Sequence, residues 1–205
     1  MFTLYFSKGS SALAPHILLE EIGADYKADE RSIPQGAHLT TEFLAVNPKG
    51  RVPALLTPDG IITENPAILW YIGEAFPEAE LLPTDLYSRA RIQELNAYIC
   101  STAHVAFAHK GRGQRWSDDP AVIEGMKAKV ADNLRECATL VETQYLTGRW
   151  ALGDTYSISD PYLFLLHRWM KQADLDIAEF PKLNAHRKSM LARDGTMAAL
   201  SQHGI

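Results

Sequence analysis

A chain of 205 residues, 46% of them hydrophobic, carries enough apolar side chains for two small domains that share a boundary. Its formal net charge of -5 argues against a nucleic-acid binder, which normally shows a basic face. Its two cysteines, Cys100 and Cys137, lie far apart, form no C-x-x-C pair or metal-ligand cluster, and suit free buried thiols in a reducing compartment.

The chain opens without a basic segment leading into an apolar run, so no secretory leader is expected. No apolar run approaches bilayer length, and the expectation is a cytoplasmic protein with no membrane partner. Residues 3–6 are aromatic and β-branched and predict a strand. Lys8-Gly9-Ser10-Ser11 is a polar turn. Leu13, Ile17, Leu18 and Ile22 then recur at helical spacing. Pro15 must sit in the first turn of that helix, which puts its start near Ser11 or Ala12, and Gly23 ends it.

A strand is predicted at 25–33 and a short helix at 40–46, stopped by Asn47-Pro48 and Gly50. Residues 51–56 and 61–63 read as a hairpin around Pro58-Asp59-Gly60, and 66–76 as a helix with Ile68, Leu69 and Ile72 on its apolar side. The order β-α-β-α-β-β-α occupies 1–77. A linker follows at 78–86, and no strand is predicted in 87–205. There, Ile92, Leu95, Ile99, Ala103 and Ala106 form a stripe on one long helix. Met126, Val130, Leu134, Cys137, Val141 and Tyr145 form a second. Residues 161–173 are apolar nearly all round and belong at the centre of a bundle, and shorter helices follow from Pro181 and Thr196.

Three places carry residues suited to chemistry. Val52-Pro53 is a candidate cis bond that leaves the Val52 main chain facing outward, able to pair with an extended peptide. An ordinary strand-edge proline is the alternative. At Glu64-Asn65-Pro66, Asn65 reads as an N-cap and Pro66 as the first helical residue. Free N–H groups at that helix end suit a carboxylate and Glu64 suits an ammonium, so a zwitterion fits the pair, with a plain capped helix as the alternative. Ser10 and Ser11 place hydroxyls at the start of the first helix, as ligands for an anion or simply as caps. Ser157 and Asp160 fit a capping box, which explains their spacing better than a catalytic pair does.

In sequence order, three runs fall into a known pattern: Ser11-Ala12-Leu13-Ala14-Pro15-His16, the run from Asn47-Pro48-Lys49-Gly50 through Arg51-Val52-Pro53 to Leu55, and Thr63-Glu64-Asn65-Pro66-Ala67-Ile68. The stretch from Trp150 to Asp160 extends it. The chain resembles the glutathione S-transferases, especially the bacterial beta-like ones, over essentially its whole length. The resemblance implies α/β plus all-α architecture: a thioredoxin-like glutathione-binding domain at 1–77, a linker at 78–86 and an all-helical domain at 87–205. It implies a homodimer that uses glutathione as co-substrate and activates its thiolate for attack on a small hydrophobic electrophile, in a detoxification role.

By the same resemblance Pro53 matches the family's cis-proline, Val52 the backbone partner of the cysteinyl unit, and Glu64 and Asn65 the pair that grips the γ-glutamyl end. Gln35 and Arg51 fall near positions that contact glutathione, Gln35 where a Lys is common. Ser11 stands where beta-like members carry Cys, so the expected chemistry is hydrogen bonding to the glutathione thiolate rather than a mixed disulfide. Ser11 is the preferred catalytic residue, then Ser10, then Tyr5. His104 matches a His lining the active-site cleft, with an ordinary core or surface histidine as the alternative. The family's following Lys is Val105 here, and its Asn contact from the partner subunit is Ala97. His16 is family-typical and structural. A specialised glutathione-dependent dehalogenase, isomerase or ether-cleaving lyase is the alternative within enzymes, and a non-catalytic glutathione-binding protein the alternative outside them.

Overall fold

The computed structural model describes all of residues 1–205. The chain divides into two compact units, Met1–Pro83 with Met190–Ile205, and Thr84–Ser189. In chain order the first contains β1 (Phe2–Phe6), α1 (Leu13–Glu21), β2 (Tyr26–Glu30), α2 (Thr41–Val46), β3 (Ala54–Thr57), β4 (Gly60–Thr63) and α3 (Asn65–Ala75). Then come α4 (Leu86–Tyr98), α5 (His104–Arg112), α6 (Pro120–Ala128), α7 (Val130–Gln144), α8 (Ser159–Gln172), α9 (Pro181–Leu191) and α10 (Asp194–His203). The last of these belongs to the first unit and packs on α1.

One sheet holds the four strands in the order β2-β1-β3-β4. β1 runs parallel to β2, with Leu4 opposite Ala28, and antiparallel to β3, with Leu4 opposite Leu55. Leu4, Leu55, Leu13, Ile17, Leu18, Ile68, Leu69 and Ile72 are fully buried and form the core of this unit. Each such Leu or Ile removed from water contributes about 1.5–3 kcal/mol.

The sequence reading of α1 holds. Pro15 is its third residue, where no intrahelical N–H is lost. Gly23 takes φ +62, and the N–H groups of Gly23 and Ala24 close on Glu20 and Leu19 at 3.2 and 3.0 Å, a Schellman ending. Two strands are shorter than their patterns. Arg31 still bonds Phe6 O at 2.6 Å, but Ile33 N–H turns to Ser7 Oγ at 3.1 Å, so β2 stops before Pro34. β3 begins only at Ala54, because Pro53 has no N–H for the ladder.

In the second unit, α8 is buried on all faces, as its composition predicts. Both long stripes are split. α4 ends at Tyr98, and one π-helical turn follows at Ile99–Ala103, closed by His104 N–H on the Ile99 carbonyl. The second stripe breaks at Lys129 between α6 and α7. Periodicity reports the phase in which apolar side chains recur, and the chain keeps that phase across the π turn: Ile92, Leu95, Ile99, Ala103 and Ala106 are all buried. Across Lys129, Val130, Leu134, Cys137, Val141 and Tyr145 are buried, while Met126 on α6 is half-buried. Cys100 is half-buried and Cys137 buried, both free thiols. No helix is long and apolar enough to cross a membrane.

Candidate active site

Strand register gathers most of the singled-out residues at one end of the sheet. Tyr5, near the C-terminal end of β1, lies opposite Ala54, the first residue of β3. Ala54 lies opposite Thr63, the last residue of β4. The parallel pair ends at Phe6 opposite Glu30. The segments that leave the sheet here are therefore the turn carrying Ser10 and Ser11, the bend carrying Gln35, the loop delivering Arg51-Val52-Pro53, and Glu64-Asn65. Stretches more than fifty residues apart in sequence share one rim because β3 runs antiparallel to both of its neighbours.

In the turn before α1 the two serines differ. Ser10 Oγ accepts the Ala12 N–H at 3.3 Å, while Ser7 O and Ser10 O take the Ser10 and Leu13 N–H groups at 3.0 and 3.2 Å. Ser11 is half-buried, and its hydroxyl makes no hydrogen bond within the chain. Tyr5 is half-buried, edge-on to Phe43 at 5.6 Å, with the Arg31 guanidinium 5.5 Å from its ring centre. Arg31 is held by Asp29 at 2.9 Å.

The loop ahead of β3 is braced by Asn47, a buried residue. Its amide donates to Arg51 O at 2.6 Å and its Oδ1 accepts the Lys49 N–H at 3.2 Å. Gly50 takes φ +57, and a Cβ there would stand 2.8 Å from Leu39 Cδ2. The Val52–Pro53 bond is cis, and none of the turn, loop or cap hydrogen bonds uses the Val52 main chain. Arg51 is exposed, with its side chain outside any ion pair, and Gln35 is exposed in the bend after β2.

At α3 the cap differs from the sequence reading. The first intrahelical bond runs from Ile68 N–H to Glu64 O at 3.0 Å, so Glu64 is the N-cap and Asn65 the first helical residue. No side chain caps this helix end, because Glu64 sits at φ 74, ψ 126, and Asn65 is already helical. Pro66 has no N–H, and those of Asn65 and Ala67 point out of the helix end. Asn65 is 5% exposed, and its Oδ1 is buried without a hydrogen-bond partner. A non-glycine residue held at such a φ costs of order 1–3 kcal/mol, and such positions cluster at binding sites. The Lys49 ammonium rests on Glu64 at 2.5 Å and on Thr63 Oγ1 at 2.6 Å. The rim thus shows a carboxylate that takes an ammonium beside a helix end offering N–H groups and an unpaired amide oxygen, the complement of an α-amino acid group.

Lys49 and Asn47 were visible only as parts of a motif. In the sequence Asn-Pro-x-Gly reads as a helix stop, and nothing in the spacing ties Lys49 to Glu64. His104 belongs to the second unit. It opens α5, is half-buried, stacks on Trp169 with ring centres 4.7 Å apart, and lies 3.4 Å from Arg112. Asp160 does more than close a capping box. Its Oδ2 accepts Ser157 N–H and Oγ–H at 2.7 and 3.1 Å, while Oδ1 accepts Ala151 N–H at 2.7 Å and faces His186 Nε2 at 3.0 Å.

Residues 2–74 match the N-terminal domain of glutathione S-transferase. Over 205 residues the chain is 31% identical to the glutathione S-transferase GstA of Escherichia coli, a match covering 98% of each sequence. The chain belongs to the glutathione S-transferase family. A second transferase relative, from Xanthomonas campestris, is 29% identical over 204 residues, again covering 98% of both. Among solved structures, a glutathione transferase homolog from Sulfitobacter with bound glutathione superposes with a TM-score of 0.97 at 37% identity, covering 100% of this chain and 99% of that one. The glutathione S-transferase architecture, a thioredoxin-like α/β unit with a four-stranded sheet and a mostly helical remainder, is the one described above.

Proposed function

We propose that this family member is an active glutathione transferase, with its glutathione site on the sheet rim that carries Ser11, Val52-Pro53 and Glu64-Asn65. Glutathione supplies the thiol, which as thiolate attacks a small hydrophobic electrophile. The observation that carries the reading is the α3 end: an outlying Glu64 backbone, a carboxylate already engaging an ammonium, and an unpaired Asn65 Oδ1. Glu64 takes the amino group of the γ-glutamyl end, with Lys49 as the ammonium it exchanges, and the N–H groups of α3 take the carboxylate. Val52 pairs its main chain with the peptide, as an added strand would. Ser11, with an uncommitted hydroxyl, donates to the sulfur. Ser10, whose oxygen holds the turn, is the lesser candidate, and Tyr5 lines the rim. Arg51 and Gln35 reach the ligand from the two flanking loops, and His104 is kept as a further candidate on the family resemblance alone.

We assign the chain a thioredoxin-like glutathione domain at 1–77, a linker at 78–86 and a helical domain at 87–205. We further assign it a cytoplasmic homodimer in a detoxification role. Family membership and two unpaired thiols support this reading. Calorimetry with glutathione, run beside conjugation of an aromatic halide, tests the function. Micromolar-to-millimolar binding with turnover is expected. Binding with isomerisation or dehalogenation in place of conjugation would make the enzyme a specialised member, and no binding would remove the site. Sedimentation tests the dimer.

A further inference from the structure

His16 takes no part in the proposed glutathione site, yet it lies in a chain of hydrogen bonds that crosses the first unit. Gly9 N–H donates to His203 Nδ1 at 3.2 Å. His203 Nε2 and His16 Nδ1 are 3.1 Å apart, and His16 Nε2 and Gln202 Oε1 also 3.1 Å. Gln202 Nε2 donates to Glu20 Oε1 at 2.7 Å, and the same carboxylate accepts the Tyr26 hydroxyl. Both imidazoles are buried, and each lies within 5.1 Å of the Phe6 ring, centre to centre.

The direction of every bond is determined from both ends. A main-chain N–H can only donate, so His203 Nδ1 accepts and its proton sits on Nε2. An ionised carboxylate only accepts, so Gln202 turns its NH₂ to Glu20 and its oxygen to His16, and the His16 proton sits on Nε2. His16 Nδ1 is then an acceptor, which is what His203 Nε2–H requires. The two deductions meet without conflict only if both histidines are neutral. A proton added to His16 sets two N–H groups facing each other, and one added to His203 sets its Nδ1–H against Gly9 N–H.

Charged and titratable groups stand near the pair on several elements. On α1 itself Glu20 closes the relay, and Glu21 pairs with Arg193, next to α10, at 2.6 Å. β2 contributes Tyr26, whose ring lies edge-on to His16 at 5.6 Å. β1 contributes only Phe6, with Lys8 after it paired to Glu30 at 3.7 Å. α3, also packed on α1, carries one charged residue, Glu74, which is exposed. Burial holds the His16 imidazole below its ordinary pKa, outweighing the upward pull of Glu20 and of the Gln202 hydrogen bond.

We infer that the His203–His16 relay is a positioning device that ties the catalytic turn to the last helix, and that acid releases it. Gly9 stands one residue before Ser10 and two before Ser11, so its anchor sets where the Ser11 hydroxyl lies. The catalytic half of this inference rests on the glutathione site proposed above, and the anchoring half does not. His203 and His16 touch no reacting atom and act through the turn.

The test follows the Gly9 amide of the full-length protein by NMR hydrogen exchange, expressed as a protection factor at pH 7.5 and pH 5.0. In the wild type, protection falls about tenfold or more at the lower pH, as the relay takes up a proton. His203→Gln offers an amide donor where Nε2 stands and nothing to Gly9, and it loses protection at both pH values. His203→Asn offers an amide oxygen where Nδ1 stands and cannot titrate, and it keeps protection at both. In turnover, His203→Gln raises KM for glutathione more than it lowers kcat, and the acid limb that the wild type shows flattens in His203→Asn. Wild-type protection that does not change with pH, or Gly9 protection intact in His203→Gln, overturns the relay. Altered exchange with an unchanged KM overturns its link to Ser11. A wild-type protein that binds no glutathione overturns the site while the exchange data still judge the relay.

Discussion

Ser10 Oγ is occupied by the Ala12 N–H at 3.3 Å, and Ser11 Oγ has no partner in the chain. A hydrogen bond to an ionised group contributes about 1.5–3 kcal/mol, so Ser11→Ala is expected to lower conjugation at neutral pH roughly ten- to a hundredfold. It also shifts the rate profile toward alkaline pH, because the thiol then ionises with less help. Ser10→Ala should cost stability on the scale of a lost cap, about 0.5–2 kcal/mol, with turnover largely kept. Equal losses of turnover in the two variants would refute the assignment. Glu64→Gln removes the ammonium partner, and calorimetry should find glutathione affinity lower by about tenfold or more. At this scale the sequence displayed residue types but not their occupancy. Two adjacent serines look alike on the page, and only the folded turn engages one oxygen as an acceptor and leaves the other without a partner. Lys49 was equally opaque, since its partner Glu64 lies across a hairpin.

Among the elements, α10 approaches α1 tightly at Gly195. A Cβ there would lie 2.7 Å from Glu21 N and 2.9 Å from Glu21 Cα, both backbone atoms that cannot swing aside. Gly195→Ala should therefore destabilise the protein by about 1–3 kcal/mol in urea titration, although alanine is the better helix former. An unchanged or higher midpoint would mean that the approach is looser. At the start of α8 the buried Asp160 accepts two main-chain N–H groups and faces His186. Asp160→Ala leaves these unpaired and should cost about 3–5 kcal/mol, read in the same titration. The Ser157–Asp160 capping box was legible because both partners are local. Ala151 and His186 were not, because a carboxylate's second oxygen finds partners that the chain brings back only on folding. The same limit explains the split stripes: a π turn and the break at Lys129 change hydrogen-bond register without changing which side chains are apolar.

Across the molecule, buried neutral histidines make stability depend on pH. Burial lowers the pKa of His16 in the first unit and holds that of His167 in the second well below the ordinary value, the latter helped by His186 and Arg187. His167 Nε2 faces His186 Nδ1 at 3.2 Å, and its own Nδ1 is buried without a partner. The folded forms stay neutral where the unfolded chain, with histidines near 6.5, binds protons. Their contribution to stability is thus complete above about pH 6.5 and is lost as pH falls through the lowered folded values. Urea midpoints should be lower at pH 5 than at pH 7.5, with a smaller difference in His167→Gln. A midpoint independent of pH over that range would contradict the burial argument.

From sequence alone, the strand-helix order of the first unit, the end of α1 at Gly23, the all-round burial of α8 and the family pattern through Asn47, Pro53 and Glu64 could all be read. These depend on local propensity, backbone restriction and short-range periodicity, which each segment carries by itself. Tertiary structure alone decided that Tyr5, Val52 and Glu64 share one rim, that α3 is capped by Glu64 in an unusual conformation instead of by Asn65, and that His203 reaches back to Gly9. Such pairings join residues up to 194 positions apart. They follow from strand register and helix packing, which are properties of the assembled chain.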